Sequence, residues 1–107
     1  MFSIFKNLFG TANTPNIEEL MQQGAYLVDV RTPAEFSQGN VKGSVNIPLD
    51  KIASSANKLK EKQNIIVFCR SGNRSAQAKS ILEKNGFTNV SNGGTWQNVN
   101  RFVAQKK

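Results

Sequence analysis

The chain contains no histidine and a single cysteine, Cys69. Without histidine, neither a Ser-His nor a Cys-His dyad can form, and a zinc site of the cysteine/histidine type has too few ligands. One cysteine cannot close an internal disulfide, so a reducing compartment is expected, and with it a cytoplasmic location. The sequence implies no metal and no cofactor. No apolar run approaches the roughly 18 residues that a transmembrane helix requires. Acidic residues are also scarce, 7 against 14 basic ones, for a net charge of +7. Much of the excess is lysine dispersed over Lys42, Lys51, Lys58, Lys60, Lys62, Lys79 and Lys84, with few aromatics among them. Such a distribution describes a solvated surface that attracts small anions; nucleic acid is not an expected partner.

What remains is enough for one domain. The 107 residues suffice for a single hydrophobic core. Residues 1–13 form a separate piece, in which Phe2, Phe5 and Phe9 fall at helical spacing beside Ile4 and Leu8. This amphipathic arm lacks the charged start and cleavage site of a secretory signal. It is expected to pack on the domain or fray, with weak membrane-surface contact as the alternative. The domain itself is expected over residues 14–105. Asn16 with Glu19 three residues on resembles a helix-opening cap, and "AYLVDV" suits a strand buried on both faces. "TPAE" opens the next helix, with Thr32 as cap, Pro33 in the first turn and Glu35 reaching back, and Gly39 stops it. "SVNIP", "NIIVF" and "TNVSNGG" supply further strands, the last ending in a glycine turn. Helical spacing links Ala78, Ile81 and Leu82, and Thr95 can cap a terminal helix carrying Trp96, Val99 and Val103. Strands alternating with helices imply an α/β layer with a mostly parallel sheet.

In that topology Cys69 lies at the carboxyl end of a central strand, in "IIVFCRSGNRS", where open α/β sheets bind ligands. Gly72 permits a tight turn, and the amide N–H groups ahead of a helix around Ser75 can converge on an anion. A thiol placed there also feels the cations Arg70 and Arg74. Such surroundings bring a cysteine from its free pKa of about 8.5 to roughly 3.5–7.5. An already ionised thiol needs no histidine base.

Three blocks, "LVDVRTPAEFSQGNVKGSVNIP", "IIVFCRSGNRSAQAKSILEKNGFTNV" and "NGGTWQNV", closely resemble the single-domain rhodanese (sulfurtransferase) family in order and spacing. The resemblance implies a rhodanese-like α/β fold with a central five-stranded parallel sheet flanked by helices. It also implies that Cys69 accepts a sulfane sulfur as a persulfide and passes it to a thiol, cyanide or carrier protein. The backbone amides of Arg70, Ser71, Gly72, Asn73, Arg74 and Ser75 would hold the persulfide or the incoming anion. Asp29, Arg31 and Glu35, matching the family's "DVRxxxE", would brace the site as a buried polar group, and Trp96 would pack in the core. The implied partners are a small anionic sulfur donor such as thiosulfate and a sulfur-carrier or thioredoxin-like acceptor protein. Asn40 departs from the family, which usually carries histidine there. The alternatives are a binding or regulatory module of the same fold that does not turn over, which the retained cysteine disfavours, and a phosphatase or arsenate reductase. The related phosphatases and reductases carry one more residue in the loop, a width suited to a tetrahedral oxyanion.

Overall fold

The computed structural model describes residues 16–105; the arm expected over residues 1–13 lies outside them. Four strands, β1 (Tyr26–Asp29), β2 (Val45–Asn46), β3 (Ile65–Cys69) and β4 (Val90–Thr95), form one sheet in the order β2-β1-β3-β4. Every neighbouring pair is parallel. Parallel neighbours need crossovers, and these are α2 (Pro33–Gln38), α3 (Ile52–Leu59, entered through a 3-10 turn at Leu49–Lys51) and α4 (Asn73–Lys84). α1 (Ile17–Gln22) precedes the sheet and α5 (Trp96–Gln105) follows it.

The expected α/β layer with a parallel sheet and flanking helices is present, but with four strands among the described residues where five were expected. The apolar runs of β1 and β3 favour a strand by themselves, whereas β4, with Asn92, Gly93 and Gly94, is extended through its pairing with β3.

β3 is the centre of the molecule, because all five of its residues are buried. Its alternation divides the core in two. Ile65, Val67 and Cys69 pack with Ile52, Ala56 and Leu59 of α3 and Ala78 and Leu82 of α4. Ile66 and Phe68 face the opposite way, toward Met21, Val41 and Val99. Each large apolar side chain so buried contributes about 1.5–3 kcal/mol. The sulfur therefore belongs to the α3/α4 face of the sheet.

Local sequence explains the helix ends that position the site. In α2 the Thr32 hydroxyl accepts from the Glu35 N–H at 3.2 Å and the Glu35 carboxylate accepts from the Thr32 N–H at 3.0 Å, a complete capping box. In α1 only half of that arrangement forms, with the Asn16 side chain accepting from the Glu19 N–H at 3.3 Å. Asn40 donates to the Phe36 carbonyl at 2.9 Å and closes the end of α2.

Two boundaries differ from expectation. Gly93 and Gly94 stand inside β4, where a turn was expected, and a register shift places Asn92 opposite Val67 but Gly94 opposite Phe68. Gly93 is thus the extra residue of a β-bulge. A side chain there would meet Val99 Cγ2 at 2.8 Å and Ile66 Cγ2 at 2.9 Å, so only glycine fits. The second difference concerns α4, which begins at Asn73, two residues before Ser75.

Candidate active site

Cys69 ends β3, and the chain reverses at once through Arg70, Ser71 and Gly72. Gly72 is the N-cap residue of α4, with φ of 93°. That left-handed backbone favours glycine, and a Cβ would also come within 3.4 Å of the Gly94 Cα. This early reversal is why α4 starts at Asn73. Asn73, Arg74 and Ser75 form its first turn, Asn73 exposed and Ser75 buried.

The sulfur sits beneath this turn with no exposed surface. The Gly72 N–H donates to Cys69 Sγ at 3.0 Å, and Ser75 Oγ lies 3.5 Å from it. Burial is the strongest single influence on the thiol and pushes its pKa up. Against it act the Ser75 hydroxyl and then the backbone N–H groups of Ser75, Ser71 and Gly72; together they prevail, and the thiol is held below its ordinary value.

The arginines are arranged differently from the expected pair of cations at the sulfur. Arg74 turns toward α2 and grips the Glu35 carboxylate through both ends of its guanidinium, at 2.7 and 3.0 Å. This hydrogen-bonded pair is the main reason that Arg74 is raised, the charge of Cys69 acting to a smaller degree. The same contact, with the Thr32 N–H, lowers Glu35 to about 2. Arg70 is exposed and makes no ion pair among the described residues.

The brace expected of Asp29, Arg31 and Glu35 divides in two. Asp29 and Arg31 are buried, and the Arg31 Nη2 reaches the Asp29 carboxylate at 2.7 Å and the Gly39 carbonyl at 2.7 Å. The guanidinium also stacks over Trp96, 4.7 Å from the ring centre, so the indole is a platform for this cation as well as a core contact. Glu35 stands apart, partly exposed, with Arg74. Asn46, not singled out by its sequence context, joins the brace by donating to the Asp29 and Arg31 carbonyls at 3.0 and 2.9 Å.

A groove of about 280 Å³ opens beside the turn, between α2 and the start of α5, lined by Gln38, Gly39, Arg70, Trp96 and Gln97 with Arg31 and Glu35. A larger cavity of about 520 Å³, bordered by Lys60, Gln63, Phe87 and Asn89, lies at the amino ends of β3 and β4. That is the end of the sheet opposite Cys69. No described helix is long and apolar enough to cross a membrane.

Comparison with known proteins agrees with this architecture. The profile of the Rhodanese-like domain matches residues 14–94. A Schizosaccharomyces pombe protein is 40% identical over 85 residues, 65% of this chain and 59% of that one. Thiosulfate sulfurtransferase PspE of Escherichia coli is 36% identical over 74 residues, covering 67% of this chain and 71% of the relative. Among solved structures, a rhodanese with anions from E. coli is 34% identical, with a TM-score of 0.64 over 70% of this chain and 91% of that one. The human single-domain sulfurtransferase TSTD1 is 27% identical, with a TM-score of 0.65 over 85% of this chain and 91% of its own.

Proposed function

The chain belongs to the rhodanese-like domain family, and from that premise we propose that it is a sulfurtransferase in which Cys69 carries the sulfur. One observation carries the reading: the only thiol of the chain is buried beneath a glycine turn, with a backbone N–H directed at its sulfur and the Ser75 hydroxyl oxygen 3.5 Å from it. An inert core cysteine has no use for such donors; a thiolate or persulfide does.

In the proposed cycle the Cys69 thiolate attacks the outer sulfur of thiosulfate. A bond forms between Cys69 Sγ and that sulfur, the sulfur–sulfur bond of the donor breaks, and sulfite leaves with the electron pair. The thiolate of an acceptor, or cyanide, then attacks the outer sulfur of the Cys69 persulfide and restores the thiolate. No external oxidant or base is consumed. The N–H groups of Ser71, Gly72 and Ser75 and the Ser75 hydroxyl hold the negative sulfur in both states, while Arg70 draws in the anionic donor. Because Cys69 has no exposed surface, loading requires the turn of Arg70, Ser71 and Gly72 to yield to the entering sulfur. The adjoining groove offers a place for the flank of an acceptor, whether a small thiol or a carrier protein. A reducing compartment such as the cytoplasm would keep the thiol available.

The test is intact-mass analysis after incubation with thiosulfate. One added sulfur, removable by a reductant and missing from a folded Cys69→Ser variant, is expected. No added sulfur on the wild-type chain would overturn the proposal.

A further inference from the structure

Ser75 is fully buried, and its hydroxyl has one proton to share among three neighbours. Cys69 Sγ lies at 3.5 Å, the Gly72 carbonyl at 3.0 Å and the Asn92 Oδ1 at 2.7 Å. The shortest contact decides how the hydroxyl rests, and that contact is with Asn92, on the far side of the sheet register from the loop.

The amide of Asn92 has only one workable orientation. Its Oδ1 accepts from the Gly94 N–H at 2.9 Å, while its Nδ2 donates to the Gly72 carbonyl at 3.2 Å. Exchanging the two ends would set a donor against the Gly94 N–H and an acceptor against the Gly72 carbonyl. The bulge at Gly93 lets Gly94 fold back onto the amide of Asn92, two residues earlier. The contact to the Gly72 carbonyl and the short contact to Ser75 therefore clamp β4 to the first turn of α4, while the contact to Gly94 fixes the amide itself.

We propose that Asn92 is a positioning residue: from the β4 bulge it fixes the Ser75 hydroxyl and the Gly72 carbonyl, and through them the donors presented to Cys69. With Asn92 holding the Ser75 oxygen and the Gly72 carbonyl, the Ser75 hydroxyl and the Gly72 N–H are kept within reach of the sulfur. Asn92 itself touches neither the sulfur nor a substrate. This inference rests on the reading of Cys69 as the sulfur-carrying group.

The charged groups around the sulfur are Arg70 beside it in the chain, Arg74 of α4 with Glu35 of α2, and the Asp29–Arg31 pair of the neighbouring β1. None of them is hydrogen-bonded to Asn92, so substitutions of Asn92 leave them in place.

The experiment follows the alkylation rate of Cys69 against pH in the full chain, for wild type, Asn92→Ala, Ser75→Ala and the double variant. Each single substitution is expected to raise the midpoint by about one unit, and the double variant by little more than the larger single. Asn92→Asp has the same size, keeps the acceptor for Ser75, loses the donor to Gly72 and adds a negative charge. Its charge raises the midpoint by itself, so the variant that decides the matter if Asn92→Ala does not fold is Asn92→Leu, of similar size and without polar atoms, for which the same rise as for alanine is expected. Midpoints unchanged in the Asn92 variants, or shifts of Asn92 and Ser75 that add in full, would overturn the inference. Wild-type sulfur loading is measured in parallel. Loading with unmoved midpoints defeats only the role of Asn92, whereas absent loading defeats the sulfurtransferase reading.

Discussion

A free cysteine in a core behaves as a small hydrophobe, and Cys69 has the burial of one but not its neighbours. With the hydroxyl of Ser75 and the loop amides outweighing desolvation, its alkylation by a neutral reagent should show a midpoint below that of a free cysteine measured alongside. The sign is fixed by which state the donors favour: a hydrogen bond given to the sulfur stabilises the thiolate, so reactivity persists as pH falls below the range where a free thiol has become protonated. A midpoint at or above the free value would return Cys69 to the inert class. Single residues also show where sequence reasoning stops. The thiol at the end of a strand and the glycine of its turn were legible from residue type and position. The partner of Arg74 was not, since Glu35 lies 39 positions away and its local capping role already accounted for it. Asn92 was passed over because its context suggested a glycine turn; an amide placed between a buried strand and two consecutive glycines was the available signal.

Helix starts were the most legible elements, because capping is local chemistry: Thr32, Pro33 and Glu35 specify α2 with no reference to the rest of the chain. Strand irregularities were the least, since a bulge depends on the neighbouring strand and on what packs against it. Gly93→Ala tests that dependence. Its Cβ would be driven into Val99 and Ile66 at under 3 Å, and a loss of about 1–3 kcal/mol is expected in denaturant unfolding. Retained stability would mean that β4 can shed its bulge. The link between α2 and α4 is electrostatic and has its own pH signature. Glu35 is lowered from 4.5 to about 2 in the folded chain, so its pair with Arg74 contributes fully above the unfolded value and is lost as pH falls through the folded one. The stability difference between wild type and Glu35→Gln should therefore be level from neutrality to about pH 5 and shrink toward pH 2. Its size should be about 1 kcal/mol or less, because both side chains are partly exposed. A gap that widened on acidification would contradict the pairing.

At the scale of the whole molecule, the charge of +7 and the exposed Arg70 bear on how a donor arrives. Arg70→Ala should raise the Michaelis constant for thiosulfate severalfold while changing transfer from an uncharged persulfide donor little, and added salt should narrow the difference. Equal effects on both donors would mean that Arg70 shapes the turn and does not attract charge. The strand order bears on something else. The site draws on residues 29–35, 69–75 and 92–94, which all-parallel crossovers bring together only after each intervening helix has packed. The donors directed at Cys69 lie within residues 71–75, and residues 92–94 add the contacts that grip them from β4. During synthesis the thiol and its donors emerge almost together, ahead of the β4 residue, Asn92, that contacts Ser75 and the Gly72 carbonyl. The last strand to be made thus completes the hold on a site whose chemistry is carried by one short turn, so chain order separates the residues that act on the sulfur from the residue that steadies them.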